Sequence, residues 1–181
     1  MKKTFYFIQS IIIYFFYFIS KIIGLKLSRI VFSFIFIKVG NIFKSKKIIF
    51  DNLNKINPQI NNLNKEIILN KMWSNYGKTF AEYIFLNTFK KNSSHINIKN
   101  QKAIDEILKK DKPVVFISGH FANYELMSME LTKANVKLAT IYRPLNNMFL
   151  NPFMEYLRKN FVCKNQIKKG LNGVKESLEY M

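Results

Sequence analysis

The chain has 181 residues, enough for one domain with some added elements, and carries 29 Lys and Arg against 11 Asp and Glu, a formal net charge of +18. Its 18 Phe and 9 Tyr, in a composition that is 49% hydrophobic, exclude a disordered basic tail, which would be poor in aromatics. The one cysteine, Cys163, excludes an internal disulfide and a cysteine-rich metal site, and the positive charge points to nucleic acid, an anionic membrane face or an acidic partner.

Residues 5–20 (FYFIQSIIIYFFYFIS) contain no charge; Lys2 and Lys3 precede them and Lys21 comes next. Extended through Leu25, the run reaches about 20 residues, the length that crosses a bilayer core of roughly 30 Å. It is long for a signal-peptide core and no small-x-small cleavage site comes after it, so the expectation is a retained transmembrane helix. A second apolar stretch, Ile30 to Ile37, is too short to span and reads as interfacial or as the start of the folded core. Lys21, Lys26, Arg29, Lys38, Lys44, Lys46 and Lys47 lean toward a cytoplasmic location for the rest of the chain, although Lys2 and Lys3 pull the other way.

Residues 44–65 are polar and rich in Asn and Lys, with Pro58, and read as short helical pieces and turns. From Glu66 to Phe89, Ile68, Met72, Tyr76, Phe80, Tyr83 and Ile84 recur with the period of an amphipathic helix, stopped at Asn92-Ser93-Ser94. Gly77 in its middle predicts a close approach or a kink. Ile104, Ile107 and Leu108 predict a short helix closed by a turn from Lys109 to Pro113.

The pattern then changes. Residues 113–118 (PVVFIS) read as a buried strand, 122–134 as a helix, and 136–142 (VKLATIY) as a second strand stopped by Arg143-Pro144. Phe149, Phe153, Tyr156 and Leu157 form a helical stripe, Phe161-Val162-Cys163 a third short strand with Cys163 as a small core residue, and 171–181 a last helix. The predicted fold class is α/β: an N-terminal transmembrane helix and helical region, then an incomplete, mainly parallel sheet with flanking helices. The expected parts are a membrane segment over 1–43, a helical region over 44–110 and a catalytic α/β part over 111–181. The chain stops inside a helical pattern, and more sheet is expected beyond it.

Chemistry concentrates in residues 118–125 (SGHFANYE). A strand would deliver His120 to its carboxyl end, where open α/β sheets place their sites. Gly119 lets the backbone turn, and Glu125 falls in the first turn of the next helix. A carboxylate folded back on the imidazole would fix its tautomer and raise the basicity of the other nitrogen. That makes a general base able to take a proton from a hydroxyl attacking an acyl thioester. The competing reading is a histidine that only caps the helix start, beside an acid placed for the helix dipole. Arg143 reads equally as a solvated arginine after a strand, Arg158 as a helix-surface charge, and His95, in a polar loop, as inert.

The blocks taken together resemble the bacterial lipid A (lauroyl/myristoyl) acyltransferase family. Residues 117–126 (ISGHFANYEL) are similar to its apolar strand followed by G-H-x-x-N-[WY]-E, and 141–147 (IYRPLNN) to its Y-R-P block. Arg158 matches the arginine that comes after it; upstream, Asn52-Leu53, Pro58, residues 73–77 (WSNYG) and Glu82 resemble its N-terminal helices. The resemblance implies transfer of a fatty acyl chain from an acidic acyl carrier protein, or from CoA, to a hydroxyl of a lipid A precursor at the cytoplasmic face of the inner membrane. It makes His120 the base and Glu125 its partner. Arg143 would bind substrate phosphate or the thioester oxyanion, Asn123 would support the turn, and Arg158 would be a further substrate-binding candidate. It implies no metal, no bound cofactor and no nucleic acid. A later Asp-Gln block and further glycine-rich and arginine elements of the family do not occur before Met181. A substrate-binding part is therefore expected to be missing, which leaves the isolated chain open to being inactive. The rival readings are a glycerophospholipid acyltransferase, which commonly has Asp at the position of Glu125, and a non-enzymatic basic membrane-associated protein.

Overall fold

The computed structural model describes residues 1–92, 95–110 and 112–181. They form helices α1 (Lys2–Phe43), α2 (Lys46–Ile56), α3 (Asn62–Glu82), α4 (Leu86–Lys91), α5 (Gln101–Lys109), α6 (Glu125–Lys133), α7 (Asn151–Leu157) and α8 (Leu171–Tyr180), with strands β1 (Ala139–Tyr142) and β2 (Asn165–Lys168). A 3-10 turn (Tyr83–Phe85) precedes α4, and a π-helical turn (Arg158–Val162) continues α7. The chain divides into two compact units, Tyr17–Ile84 and the combination of Met1–Phe16 with Phe85–Met181.

In the unit Tyr17–Ile84, α1 is interrupted at Gly24, whose φ of 78° and ψ of 169° are non-helical. Glycine takes this left-handed φ without a Cβ clash. Ser28 donates its hydroxyl to the Gly24 carbonyl at 2.7 Å and, across the break, to that of Ser20 at 3.3 Å. The apolar period read in the sequence falls largely within α3, but the buried face is the neighbouring row of Lys65, Leu69, Trp73, Gly77 and Ala81, while Ile68 and Tyr76 are exposed. Phe80 stacks on Tyr17 at 5.1 Å and meets Phe32 at 5.3 Å and Phe36 at 5.6 Å. Gly77 packs directly on the backbone of Phe32, so the close approach expected there is present without a break in α3. Ile49, Leu69 and Trp73 are buried together, with Phe36, Phe50, Leu53 and Met72 packed around them. Asn61 caps α3 by accepting from the Asn64 amide at 2.8 Å.

In the other unit, β1 and β2 pair in parallel, with Ala139 opposite Asn165 and Tyr142 opposite Lys168. The crossover is α7 with its π-helical turn. Leu86 and Phe89 of α4, Met129 and Leu131 of α6, Leu157, Val162, Cys163 and Ile167 are buried. Residues 2–16 of α1 are held by Asn147, which donates to the Tyr6 carbonyl and to Gln9 Oε1, each at 2.9 Å, and accepts from Ser10 Oγ at 3.1 Å.

Several expectations are corrected. Among the described residues no helix is long and apolar enough to cross a membrane, so the predicted transmembrane segment is not supported. Tyr6, Gln9, Ser10, Tyr14, Tyr17 and Ser20 dilute the apolar run and Gly24 interrupts it. Ser10 and Tyr14 spend their hydroxyls on Asn147 and on the Phe149 carbonyl. The fold is mostly helical with a two-stranded parallel sheet among the described residues, rather than a broader layered sheet. Residues 112–120 form no strand, and Val115 and Ile117 are exposed. The third strand expected at Phe161–Cys163 is instead the π-helical turn, and pairing begins at Asn165. The stop and the turn predicted around Asn92 and Lys110 include Ser93, Ser94 and Asp111, which lie outside the described residues.

Candidate active site

The segment from Gly119 to Tyr124 leads into α6 as a tight turn. The Phe121 amide donates to the Gly119 carbonyl at 2.9 Å, and Ala122 takes a left-handed φ of 48°. A non-glycine residue held there costs roughly 1–3 kcal/mol, a strain that clusters at functional sites. His120 is exposed at the head of this turn, and its imidazole lies against the Tyr124 ring, centroids 4.2 Å apart. Asn123 is buried, and its carbonyl accepts from the Leu126 amide at 3.2 Å to start the helix.

Glu125 is the first residue of α6 and is buried. Its carboxylate meets Arg158: Nε and Nη2 of the guanidinium both reach Oε1 at 2.7 Å. Among the described residues no hydrogen bond joins His120 to Glu125. A buried carboxylate takes the strongest available donor, and a guanidinium fork outranks an imidazole that stands in solvent. The structure thus brings Glu125 together with Arg158 and His120 together with Tyr124.

Arg158 has a second neighbour that its spacing in the sequence does not signal. Its guanidinium carbon sits 5.7 Å from the centroid of the Tyr142 ring. The Tyr142 hydroxyl donates to Glu155 Oε1 at 2.6 Å, and Asn151 Nδ2 donates to the same oxygen at 2.8 Å. Burial, then the hydrogen bond and charge of Glu155, raise the Tyr142 phenol far above the usual tyrosine value. The same hydrogen bond is the main reason the Glu155 carboxyl is lowered, against the opposing effect of its burial. Tyr142 and Glu155 therefore stay a neutral donor and an anionic acceptor across the physiological range.

Arg143 comes directly after the last residue of β1 and is exposed, with no hydrogen bond or ion pair among the described residues. It stands at the carboxyl edge of the sheet, where the Lys169 amide donates to the Tyr142 carbonyl at 2.8 Å. An open depression lined by Lys168, Lys169, Gly170 and Glu176 lies at the start of α8. Cys163 is buried with its thiol toward the Leu138 carbonyl at 2.9 Å, and burial raises its pKa. His95 packs edge-on against Phe89 at 5.4 Å. Among the described residues no cluster of His, Cys, Asp and Glu could hold a metal ion.

Sequence comparison supplies the enzyme class: acyltransferases. The family model described as bacterial lipid A biosynthesis acyltransferase matches residues 1–179, and the chain belongs to that family. No curated protein and no solved structure matches it at significant similarity.

Proposed function

We propose that the protein transfers a fatty acyl chain from a thioester, on acyl carrier protein or CoA, to a hydroxyl of a lipid A precursor, with His120 as general base. The observation that carries this reading is the exposed imidazole five positions before the buried Glu125, in a chain of an acyltransferase family. The acceptor hydroxyl would attack the thioester carbonyl while His120 takes its proton. Collapse of the tetrahedral intermediate would expel the thiolate, which the imidazolium reprotonates. Such proton transfer contributes roughly 10²–10⁴-fold. The role assigned to Glu125 is to orient the imidazole once His120 turns from Tyr124 toward it.

Arg143, exposed at the sheet edge, is suited to a phosphate of the acceptor or to the thioester oxyanion. The net charge of +18 would steer an acidic carrier protein and a phosphorylated lipid to the site. We place the reaction at the cytoplasmic face of the bacterial inner membrane, where the exposed Phe5, Ile8, Ile12 and Phe15 of α1, with Lys2 and Lys3, could rest on lipid.

The test offers the protein acyl-carrier-protein and CoA thioesters, each with a lipid A precursor and with lysophosphatidate. Acylation of the lipid A precursor supports the reading. Acylation of lysophosphatidate alone would contradict it in favour of glycerophospholipid synthesis.

A further inference from the structure

The geometry points to Arg158 as a positioning residue for the reaction, one that fixes the Glu125 carboxylate at the start of α6 so that His120 meets an anion of set position. This rests on the acyl-transfer reading and gives Arg158 a task other than contacting substrate. Both Nε and Nη2 converge on Oε1, and the two side chains are only 13% and 8% exposed. That leaves the guanidinium far less open to a lipid phosphate than the exposed Arg143 is.

The arginine is itself held. Its guanidinium packs over the Tyr142 ring, Tyr142 is tied to Glu155, and Glu155 is tied to Asn151. Arg158 also opens the π-helical turn, where the Cys163 amide donates to its carbonyl at 3.0 Å. Insertions of this kind re-aim a side chain and recur at functional sites. A buried ion pair is seldom the most stable way to fill a core, because apolar residues of similar volume often do as well or better. Its presence five residues after the exposed His120 is explained if the carboxylate has to be held in place for catalysis. The arrangement joins residues from α6, β1 and α7 in one chain of contacts ending at Glu125.

The test is a kinetic cycle in the full chain with Arg158→Ala, Arg158→Lys, Glu125→Gln and the double variant Arg158→Ala/Glu125→Gln. The expected result is a fall in kcat of roughly 10- to 100-fold for Arg158→Ala with KM within about twofold, partial recovery in Arg158→Lys, and rescue of Arg158→Ala by guanidinium ion. In the Glu125→Gln background, Arg158→Ala should cost less than about threefold more, because residues acting as a unit are not additive. A rise in KM at unchanged kcat, losses that multiply across the cycle, or a wild-type rate in Arg158→Ala would overturn the assignment. Should Arg158→Ala fail to fold, Arg158→Lys carries the same kcat-against-KM comparison. If wild-type protein shows no His120-dependent transfer, the proposed function fails. The pairing is then read from a urea-unfolding cycle on the same variants, in which additive stability losses would overturn it.

Discussion

Glu125 and Arg158 lie 33 positions apart in sequence and meet at 2.7 Å, both largely shielded from water. Removing one partner takes the opposite charge from the other while it stays buried, so Arg158→Ala or Glu125→Ala should lose about 3–5 kcal/mol of stability. The double variant should lose less than the sum of the two. Urea unfolding of all four proteins measures this, and strictly additive losses would contradict the pair.

Gly77 sits where α3 touches the backbone of Phe32, and a Cβ there would run into the Phe32 carbonyl. Alanine would gain about 1 kcal/mol of helix propensity, but separating two packed backbones typically costs about 1–3 kcal/mol. Gly77→Ala should therefore lower the thermal midpoint. A higher midpoint would show that the contact yields freely.

Asn147 ties the first turns of α1 to the loop after β1, and its Oδ1 also accepts from the Phe149 amide at 3.0 Å. Asn147→Ala should cost roughly 1–3 kcal/mol, the cost of leaving buried polar groups unpaired. Hydrogen exchange checks it: residues 5–16 should lose protection while α3 keeps its own.

The pair Tyr142 and Glu155 sets a pH dependence at both ends. The folded Glu155 carboxyl is lowered, so it contributes stability above its unfolded value, near 4.3, that is lost as pH falls through the folded value. The folded Tyr142 phenol is raised, so its contribution is full below about pH 10 and is lost as pH climbs toward its folded value. Tyr142→Phe should flatten both limbs of the stability profile. It should also remove one late-titrating phenol from an absorbance titration near 295 nm. Unchanged limbs would contradict the hydrogen bond.

The helical parts were legible because their periods are local. The stripe from Ile68 to Phe80 falls in α3, although Ile68 and Tyr76 are exposed and the buried face is the row beside them, and residues 171–181 contain α8. Strands were legible only where a partner existed. Residues 136–142 contain β1 because β2 lies beside them, while residues 113–118 have the same β-branched composition and stay unpaired, since strand propensity is largely a statement about neighbours. The turn at His120 and the helix after it could be read from spacing, although the spacing starts that helix at 122 and it begins at Glu125, because Ala122 takes a left-handed φ. The partner of Glu125 could not, because spacing predicts the nearby imidazole while burial selects a guanidinium delivered by another helix. The roles of Tyr142 and Asn147, both inside the block 141–147, emerge only from long-range packing. Asn147 could have been suspected from its polarity beside Phe149 and Leu150.

The most direct measurement is single-turnover acyl transfer to a lipid A precursor by wild-type protein and by His120→Asn, with folding of both confirmed by circular dichroism. Loss of roughly 10²-fold or more in the variant at unchanged fold is predicted. Equal rates in the two proteins would contradict the assignment of His120 as the base.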